Sequence, residues 1–205
     1  MVYKKTVDFF TPYLPLNNPK SKKMKRLIIA ALAVVAIAIA PKANAQTKMV
    51  GGAAMYPTKN IVENAVNSKD HTTLVAAVKA AGLVETLESA GPFTVFAPTN
   101  EAFDKLPEGT VPMLVKPENK ATLTKILTYH VVPGRLSSAD LWEKVKAGNG
   151  KAELTTVQGG TLTVMAQGKK LYLVDEKGNK SWITIPDVFQ SNGVIHVVNT
   201  VVMPN

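Results

Sequence analysis

Cysteine is absent from the 205 residues of this sequence. Its absence excludes disulfide bonds, thiolate metal sites, a cysteine nucleophile and lipid attachment through cysteine. The fold must therefore depend on a hydrophobic core. A domain of about 150 residues buries roughly 68–70% of the surface of its unfolded chain, which is sufficient without covalent cross-links.

Most of the chain also lacks an excess of positive charge. The formal charge of the whole sequence is +9, but residues 1–45 hold eight basic residues and one acidic residue. The remaining 160 residues hold 16 basic and 14 acidic residues, a formal charge of only +2. This balance does not support a basic face for phosphates, and we predict no nucleic-acid partner.

The common catalytic motifs are missing as well. The sequence contains neither a Gly-x-Ser-x-Gly elbow nor a phosphate-binding P-loop, and residues 148–150 lack the third glycine of a dinucleotide fingerprint. Two pairs of acids, Asp175 with Glu176 and Asp140 with Glu143, fall in a predicted turn and on a predicted helix surface, where solvated charge is the ordinary explanation. We therefore predict no enzyme activity and no cofactor.

One long hydrophobic run is present, near the N-terminus. The basic residues 20–26 precede fourteen apolar residues, 27–40, and Ala43-Asn44-Ala45 follows as a small-x-small cleavage site. This order predicts a secretory signal peptide that is cleaved after Ala45. A permanent transmembrane anchor is the alternative, but it needs roughly 20 apolar residues, more than this run provides.

The leader predicts where the protein goes. A signal that starts at Met24 is sufficient, so residues 1–23 are expected to be an upstream extension that is not translated. The mature chain then begins at Gln46. We expect a secreted protein, periplasmic or associated with the cell surface, without a permanent membrane span.

Residues 46–56 are polar and rich in glycine, which predicts a linker before a single domain over residues 57–205. Apolar residues at helical spacing predict short helices in the first part of this domain. Asn60 can cap the first, Asp70 or Thr72 can start the second, and Gly82 can end it. The remaining predicted helices cover residues 118–127 and the segment from Ser137 or Ser138 to Gly148.

Alternation of apolar and polar residues follows in the second half. It predicts strands over residues 153–157, 161–166, 171–175, 182–185 and 194–202, separated by glycine-containing turns. Helices followed by a β-meander indicate an α+β domain, with the helices on one side of an antiparallel sheet or wedge.

Residues 91–103 join a strand to a helix through a sharp corner. Phe93 to Phe96 predict a strand that must stop at Pro98, because proline cannot donate to a ladder. Thr99 or Asn100 can then cap a helix. A further short strand is predicted over residues 129–132.

Three stretches of the sequence together resemble the fasciclin (FAS1) family over about residues 57–204. They are Thr94-Val95-Phe96-Ala97-Pro98-Thr99-Asn100-Glu101-Ala102-Phe103, Tyr129-His130-Val131-Val132-Pro133-Gly134, and Asp187 with Asn192-Gly193-Val194-Ile195-His196-Val197-Val198. Their order and spacing agree with the family pattern.

The resemblance implies a β-wedge of about seven strands in two sheets at a steep angle, flanked by several short helices mostly from the N-terminal half. It also implies an extracellular adhesion or matrix-interaction module whose partner is a protein or glycan. The motif residues expected to have structural roles are Thr94, Phe96, Ala97, Pro98, Thr99, Asn100, Phe103, Asn192, Gly193 and His196.

Partner binding in animal members is attributed to an aspartate of the last motif and to the Tyr-His motif. The matching positions are Asp187, Tyr129 and His130, which are therefore the candidate partner-binding residues. Integrin recognition itself is not expected here. The Glu-Pro-Asp-Ile pattern of integrin-binding members is Ile185-Pro186-Asp187-Val188 in this chain, without the acid.

Each candidate also has a structural interpretation. His130 and His196 lie in predicted valine-rich strands, where a buried neutral imidazole can have a backbone partner for each nitrogen. Asp187 precedes a turn and can accept local amides as an Asx-type cap. Tyr129 can pack its ring in the core with a tethered hydroxyl.

Metal binding is not predicted, because His71 has no helical His-x-x-x-His partner and a third ligand is missing.

Trp142 and Trp182 are expected in the core or half-buried in the sheet. If either were exposed beside Tyr172, it could stack on a sugar or a polyene.

Two functions remain open from the sequence. The first is a secreted or surface-associated, non-enzymatic module that binds an extracellular matrix, envelope or cell-surface component. The alternative is a carrier of an apolar small molecule such as a carotenoid or lipid, since some fasciclin-domain proteins bind carotenoids.

Overall fold

The computed structural model describes residues 47–205. The predicted extension, signal sequence and cleavage position lie outside these residues. The described part of the chain contains seven α-helices of five or ten residues each, and two single 3₁₀ turns, Lys69–His71 and Pro117–Asn119. The α-helices are α1 Ile61–Ala65, α2 Thr72–Ala81, α3 Val84–Glu88, α4 Asn100–Asp104, α5 Thr110–Leu114, α6 Lys120–Tyr129 and α7 Ser138–Ala147.

Nine strands complete the described fold. They are β1 Lys48–Val50, β2 Ala53–Met55, β3 Phe93–Pro98, β4 Val131–Pro133, β5 Lys151–Thr155, β6 Thr161–Gln167, β7 Lys170–Val174, β8 Lys180–Gln190 and β9 Gly193–Val198. Strands β1 and β2 form a hairpin, and the other seven are hydrogen-bonded in the order β4-β3-β9-β8-β7-β6-β5. The predicted α+β class, with about seven strands and short helices, is confirmed.

One pairing differs from the antiparallel arrangement expected from the sequence. Strands β3 and β9 run parallel, with Phe93 opposite Gly193 and Pro98 opposite Val198. About a hundred residues separate the two strands along the chain, and parallel strands need such a crossover connection. The alternation of residues within each strand contained no information about this direction.

Two hydrophobic cores lie on opposite faces of the central strands. The first core packs α1, α2 and α6 against Val95, Ile195 and Val197 of β3 and β9. The second core packs Leu141 of α7 and strands β5–β7 against Phe96 and neighbouring residues. All six residues of β9 are buried as a result, because both faces of this strand are covered.

Strand β8 connects the two halves of the sheet. Residues near its start pair with β7, for example Trp182 with Tyr172, and from Ile183 onward the strand pairs with β9. The register with β9 shifts between Ile183 and Ile185 and again between Ile185 and Val188. Within the second shift Asp187 has φ +57°, so the strand has a bulge at this residue. We call residues 185–188 the Asp187 bulge.

The prediction that residues 46–56 form a linker is wrong for the described residues of this segment. Strands β1 and β2 pair through a Gly51-Gly52 turn in which both glycines have positive φ, the conformation that tight hairpin turns require. Val50 and Met55 are buried in the first core, and the Lys48 Nζ donates to the Pro186 carbonyl at 2.5 Å. A glycine pair is compatible with a linker and with a hairpin turn, and local sequence alone does not distinguish the two.

Side-chain caps start three of the helices. Asn60 and Glu63 form a capping box at α1, and Ser137 and Asp140 form another at α7. Of the two candidate caps at α4, Thr99 accepts from the Ala102 amide. Gly82, with φ +72°, ends α2 in the left-handed conformation as predicted.

Candidate functional site

Tyr129 and His130 lie at the end of a helix, which corrects the strand predicted over residues 129–132. Tyr129 is the last residue of α6 and His130 is its C-cap, so that β4 begins only at Val131. The helical stripe of Leu123, Ile126 and Leu127 continues into this segment, and packing of the stripe against the first core outweighs the strand propensity of tyrosine and valine.

The Tyr129 side chain is fully buried in the second core. Its hydroxyl donates to the Thr161 carbonyl at 2.7 Å and accepts from the Glu176 amide at 3.2 Å. Burial raises the pKa of the Tyr129 hydroxyl to about 12. This tethered hydroxyl connects α6 to the start of β6 and to the β7–β8 loop.

His130 is likewise enclosed and uses both ring nitrogens. The Val202 amide donates to Nε2 at 3.2 Å, so the proton is on Nδ1, which donates to the Ile126 carbonyl at 2.9 Å. Burial lowers the pKa of His130 to about 4. A neutral imidazole with a backbone partner for each nitrogen is the arrangement predicted for this residue.

His196 has the same pattern of partners in β9. The Asp187 amide donates to its Nδ1 at 3.3 Å, and its Nε2 donates to the Leu136 carbonyl at 2.8 Å. Its ring stacks on Phe96 with centroids 5.6 Å apart, and burial lowers its pKa. His196 therefore supports the Asp187 bulge from inside.

The Asp187 carboxylate does not cap the local turn, which corrects the Asx-type prediction. Its Oδ1 accepts from the Ser138 amide at 2.6 Å, and its Oδ2 accepts from the Ser138 hydroxyl. The bulge turns the side chain toward the first residue of α7, where amides lack helical partners and a negative charge is favoured. Asp187 is half-buried, whereas Tyr129 and His130 have no side-chain surface for a direct contact.

Serine, aspartate and histidine meet here, but not in the order of a hydrolase triad. Ser138 bonds to Asp187 and not to His196, while both nitrogens of His196 are occupied by backbone groups. A nucleophilic serine needs an adjacent base that can take its proton. The geometry instead stabilises the contact between β8, β9 and α7.

Asn192 and Gly193 of the last motif join β9 to the N-terminal helices. The Asn192 side chain accepts from the Ile61 amide at 3.1 Å and donates to the Leu87 and Ser89 carbonyls at 2.7 and 2.9 Å. Gly193 lies so close to β3 that an added Cβ would be 2.3 Å from the Phe93 carbonyl oxygen.

The polar residues of the first motif bond to neighbouring segments. The Thr94 hydroxyl donates to the Gly134 carbonyl at 2.7 Å and accepts from the Leu136 amide. Asn100 bonds to the Lys69 carbonyl and the Thr73 amide. The other motif positions on β3 and α4, Phe96, Ala97, Pro98 and Phe103, are all buried.

The tryptophans are only partly accessible. Trp182 is half-buried, and its ring centroid lies 4.9 Å from that of Tyr172, which is itself 7% exposed. Trp142 is half-buried against the second core. Tyr172 and Trp182 therefore pack mainly against each other, which leaves little ring surface for stacking on a ligand.

A cavity of about 90 Å³ extends between the N-terminal helices and the central strands. Its walls include Leu74 of α2, Leu127 of α6 and Ile195 of β9, and they are almost entirely hydrocarbon. Exposed lining residues, among them Lys79 and Val157, mark where the cavity reaches the surface. Periodicity in the sequence predicted core faces but could not indicate that they leave a gap.

His71 lines the same cavity. Its Nδ1 is 2.8 Å from the Ser68 hydroxyl, and its Nε2 is buried without a hydrogen-bond partner among residues 47–205. Burial lowers the pKa of His71. The nearby Ala97 backbone partly opposes this shift, although it does not form a hydrogen bond of normal geometry with the ring. The ring is therefore neutral near pH 7.

Within residues 47–205 no group of three histidine, aspartate or glutamate side chains could hold a metal ion. Over the same residues, no helix has the length and hydrophobicity needed to cross a membrane.

Comparisons with known proteins agree with this fold. The model of the Fasciclin domain matches residues 69–204. Protein sll1483 of Synechocystis sp. is 47% identical over 159 residues, which cover 78% of this chain and 81% of that protein. Immunogenic protein MPB70 of Mycobacterium bovis is 35% identical over 194 residues, covering 85% of this chain and 92% of the relative.

Among solved structures, the FAS1 domain pair from the insect cell adhesion molecule fasciclin I superimposes with a TM-score of 0.63. The match covers 69% of this chain and 50% of that chain at 17% identity, so it supports the fold alone. The family match covers well over half of the sequence, and the two bacterial relatives match over most of their own lengths. The chain therefore belongs to the fasciclin family.

Proposed function

We propose that the protein is a secreted or surface-associated, non-enzymatic adhesion module that binds an extracellular matrix, envelope or cell-surface component. Family membership is the observation that carries this proposal. Fasciclin I, which shares the fold, is an insect cell adhesion molecule. The proposed location depends on the predicted signal sequence, in residues outside the described part of the chain.

The polar groups of the described residues support the non-enzymatic part of the proposal. The two most enclosed histidines and Asp187 use their hydrogen-bonding atoms within the fold. A general base needs a free position within reach of a substrate proton. These residues serve the architecture of the domain instead.

The surface around the Asp187 bulge is our proposed contact region. Asp187 and Pro186 are half-buried there, and the β1–β2 hairpin lies against Pro186 through Lys48. Met49 of this hairpin is 62% exposed, an apolar side chain available to a partner. In this proposal Tyr129 and His130 contribute by supporting the fold behind the surface.

A binding assay tests the proposal directly. Purified protein is added to envelope fractions and exopolysaccharide from the organism that produces it, and to extracellular matrix from animal cells. Heat-unfolded protein gives the background. We expect binding above background, and Met49→Lys should weaken it. Met113→Lys is the matched control, because Met113 is also about half exposed but lies on α5. No binding to any of these surfaces would contradict the proposed function.

We propose carriage of an apolar small molecule, such as a carotenoid or lipid, as a second function. The apolar cavity is the observation that favours it. Organic extraction of protein purified from its native host tests this function. An extract without pigment or lipid would count against it.

A further inference from the structure

The apolar cavity has an interior that accepts hydrocarbon and little else. Its buried walls are formed by aliphatic side chains such as Leu74, Val78, Val95 and Ile195. Of its polar lining groups, Ser68 and His130 already have hydrogen-bond partners, whereas His71 Nε2 has none among residues 47–205. Burying an unpaired neutral polar group costs roughly 2–7 kcal/mol, and burying an ionised carboxylate costs far more. One neutral imidazole nitrogen cannot compensate that cost, so a ligand must keep a carboxylate outside.

The edge of the cavity carries a charged residue. Lys79, in the last turn of α2, is exposed, and among residues 47–205 it is the only charged side chain that lines the cavity. No acidic side chain of residues 47–205 forms a salt bridge with it; the single pair in this part of the chain joins Lys151 to Glu153. Its ammonium group is available for an anion while its stem lies along the apolar wall.

The size of the cavity restricts the ligand further. Pockets that enclose a drug-sized molecule have volumes of about 300–1,000 Å³. A volume of about 90 Å³ is well below this range, so it encloses a short chain or the end of a longer one. A rigid polyene is too large for this volume, so of the two ligand classes proposed above the cavity favours the lipid over the carotenoid.

We propose that the cavity binds a medium-chain fatty acid, with the end of the hydrocarbon chain among the aliphatic walls and the carboxylate beside the Lys79 ammonium. This inference narrows the second proposed function and is independent of the adhesion function. Hydrophobic burial supplies most of the affinity, and the exposed ion pair adds a smaller contribution. Val75, half-buried and also lining the cavity, lies one helical turn before Lys79 on α2.

Calorimetric titration of the purified protein with octanoate and with 1-octanol tests the proposal. We expect both to bind, octanoate more tightly. Lys79→Gln should weaken octanoate about threefold and leave octanol unchanged, because an exposed ion pair contributes about 0.2–1 kcal/mol. Lys169→Gln, in the exposed β6–β7 turn, is the matched control and should change neither.

A blocking variant locates the site. Val75→Trp should abolish binding of both probes while circular dichroism remains unchanged. If this variant does not fold, methyl shifts in the unmodified protein replace it, and octanoate should perturb Val95, Leu127 and Ile195. The absence of octanoate binding, equal binding by Val75→Trp, or shifts confined to other residues would overturn the proposal.

Extraction from the native host separates this inference from the carrier function. If octanoate binding depends on Lys79 but the native extract contains no lipid, the fatty-acid site is supported and the carrier function is contradicted. If a native lipid is found but the delipidated protein does not bind octanoate, the carrier function stands and this site is rejected.

Discussion

Asp187 combines an unusual backbone conformation with two long-range hydrogen bonds. Its φ of +57° is tolerated by aspartate better than by most residues, and it aims the carboxylate at Ser138. The family motif marked this residue for binding, and local sequence predicted a turn cap. Its partner lies 49 residues away along the chain, a distance over which spacing rules do not operate.

Substitution of Asp187 should separate the effect of its backbone conformation from the effect of its hydrogen bonds to Ser138. Asp187→Gly removes the hydrogen bonds to Ser138 but suits positive φ, and we expect a loss of about 1.5–3 kcal/mol in the free energy of unfolding. Asp187→Ala adds backbone strain and should lose about 1 kcal/mol more. Urea denaturation measures both values. Equal stability of the two variants would argue against strain at this bulge.

The histidines predict a loss of stability in mild acid. The pKa of His130 is about 4 in the folded protein, below its ordinary value of 6.5, and burial also lowers the pKa values of His71 and His196. Between these pH values the unfolded chain binds more protons, so the free energy of unfolding falls as pH falls from 6.5 toward 4. His130 alone accounts for up to about 3 kcal/mol.

Urea midpoints measured between about pH 7 and about pH 4 check this prediction. The variant His130→Gln should be less stable at neutral pH and should show a shallower dependence on pH, because one of the titrating groups is gone. Carboxylates with lowered pKa values, such as Asp140, lose their contribution at still lower pH. A slope that is unchanged in His130→Gln would contradict the assignment.

At the scale of elements, single side chains connect segments that are distant in sequence. Asn192 binds the first amide of α1 and two carbonyls at the end of α3, so the turn before β9 positions both helices. Asn192 belongs to a motif that is recognisable in the sequence. Its three partners are not predictable from that motif, since all lie more than a hundred residues earlier in the chain.

Asn192→Asp should disrupt this junction severely. The change keeps the oxygen that accepts from Ile61 but places a second oxygen against the Leu87 and Ser89 carbonyls. We expect a loss of at least about 2 kcal/mol in chemical denaturation, because buried groups lose their donor. Asn67→Asp is the control, since the Asn67 amide is exposed at the end of α1 and bonds to one carbonyl only. Similar losses at both positions would contradict this role.

The β1–β2 hairpin supplies a matched pair of methionines. Met55 is 3% exposed in the first core, whereas Met49 on the same hairpin is 62% exposed. Met55→Ala should cost about 2–5 kcal/mol of stability through the cavity it leaves, and Met49→Ala should stay within about 0.5 kcal/mol. Thermal and urea unfolding compare them. A negligible effect of Met55→Ala would mean that the hairpin does not belong to the domain.

At the scale of the whole molecule, local patterns predicted the elements, and long-range packing determined their relations. Caps at Asn60, Thr99 and Ser137, the end of α2 at Gly82 and the change from helical to alternating period were all readable from short stretches. The parallel pairing of β3 with β9 and the apolar cavity were not, because they depend on contacts between distant segments. The candidate binding residues illustrate the same limit, since burial of Tyr129 is a property of the assembled core.

The balance of forces over the domain predicts its response to salts. Residues 47–205 contain a single salt bridge, between Lys151 and Glu153, and both side chains are 61% exposed. Such a pair contributes about 0–1 kcal/mol, and salt screens it. Two apolar cores and buried neutral hydrogen bonds provide the stability instead. The free energy of unfolding should therefore change by less than about 1 kcal/mol when sodium chloride rises from about 0.05 M to about 0.5 M.

Sodium sulfate should act in the opposite way from a screening salt. Sulfate is excluded from protein surfaces and strengthens the burial of apolar groups, so it should raise the unfolding midpoint of this domain. Parallel melts in the two salts at equal ionic strength separate screening from exclusion. Destabilisation by both salts would mean that charge pairing contributes more to this fold than its one exposed salt bridge implies.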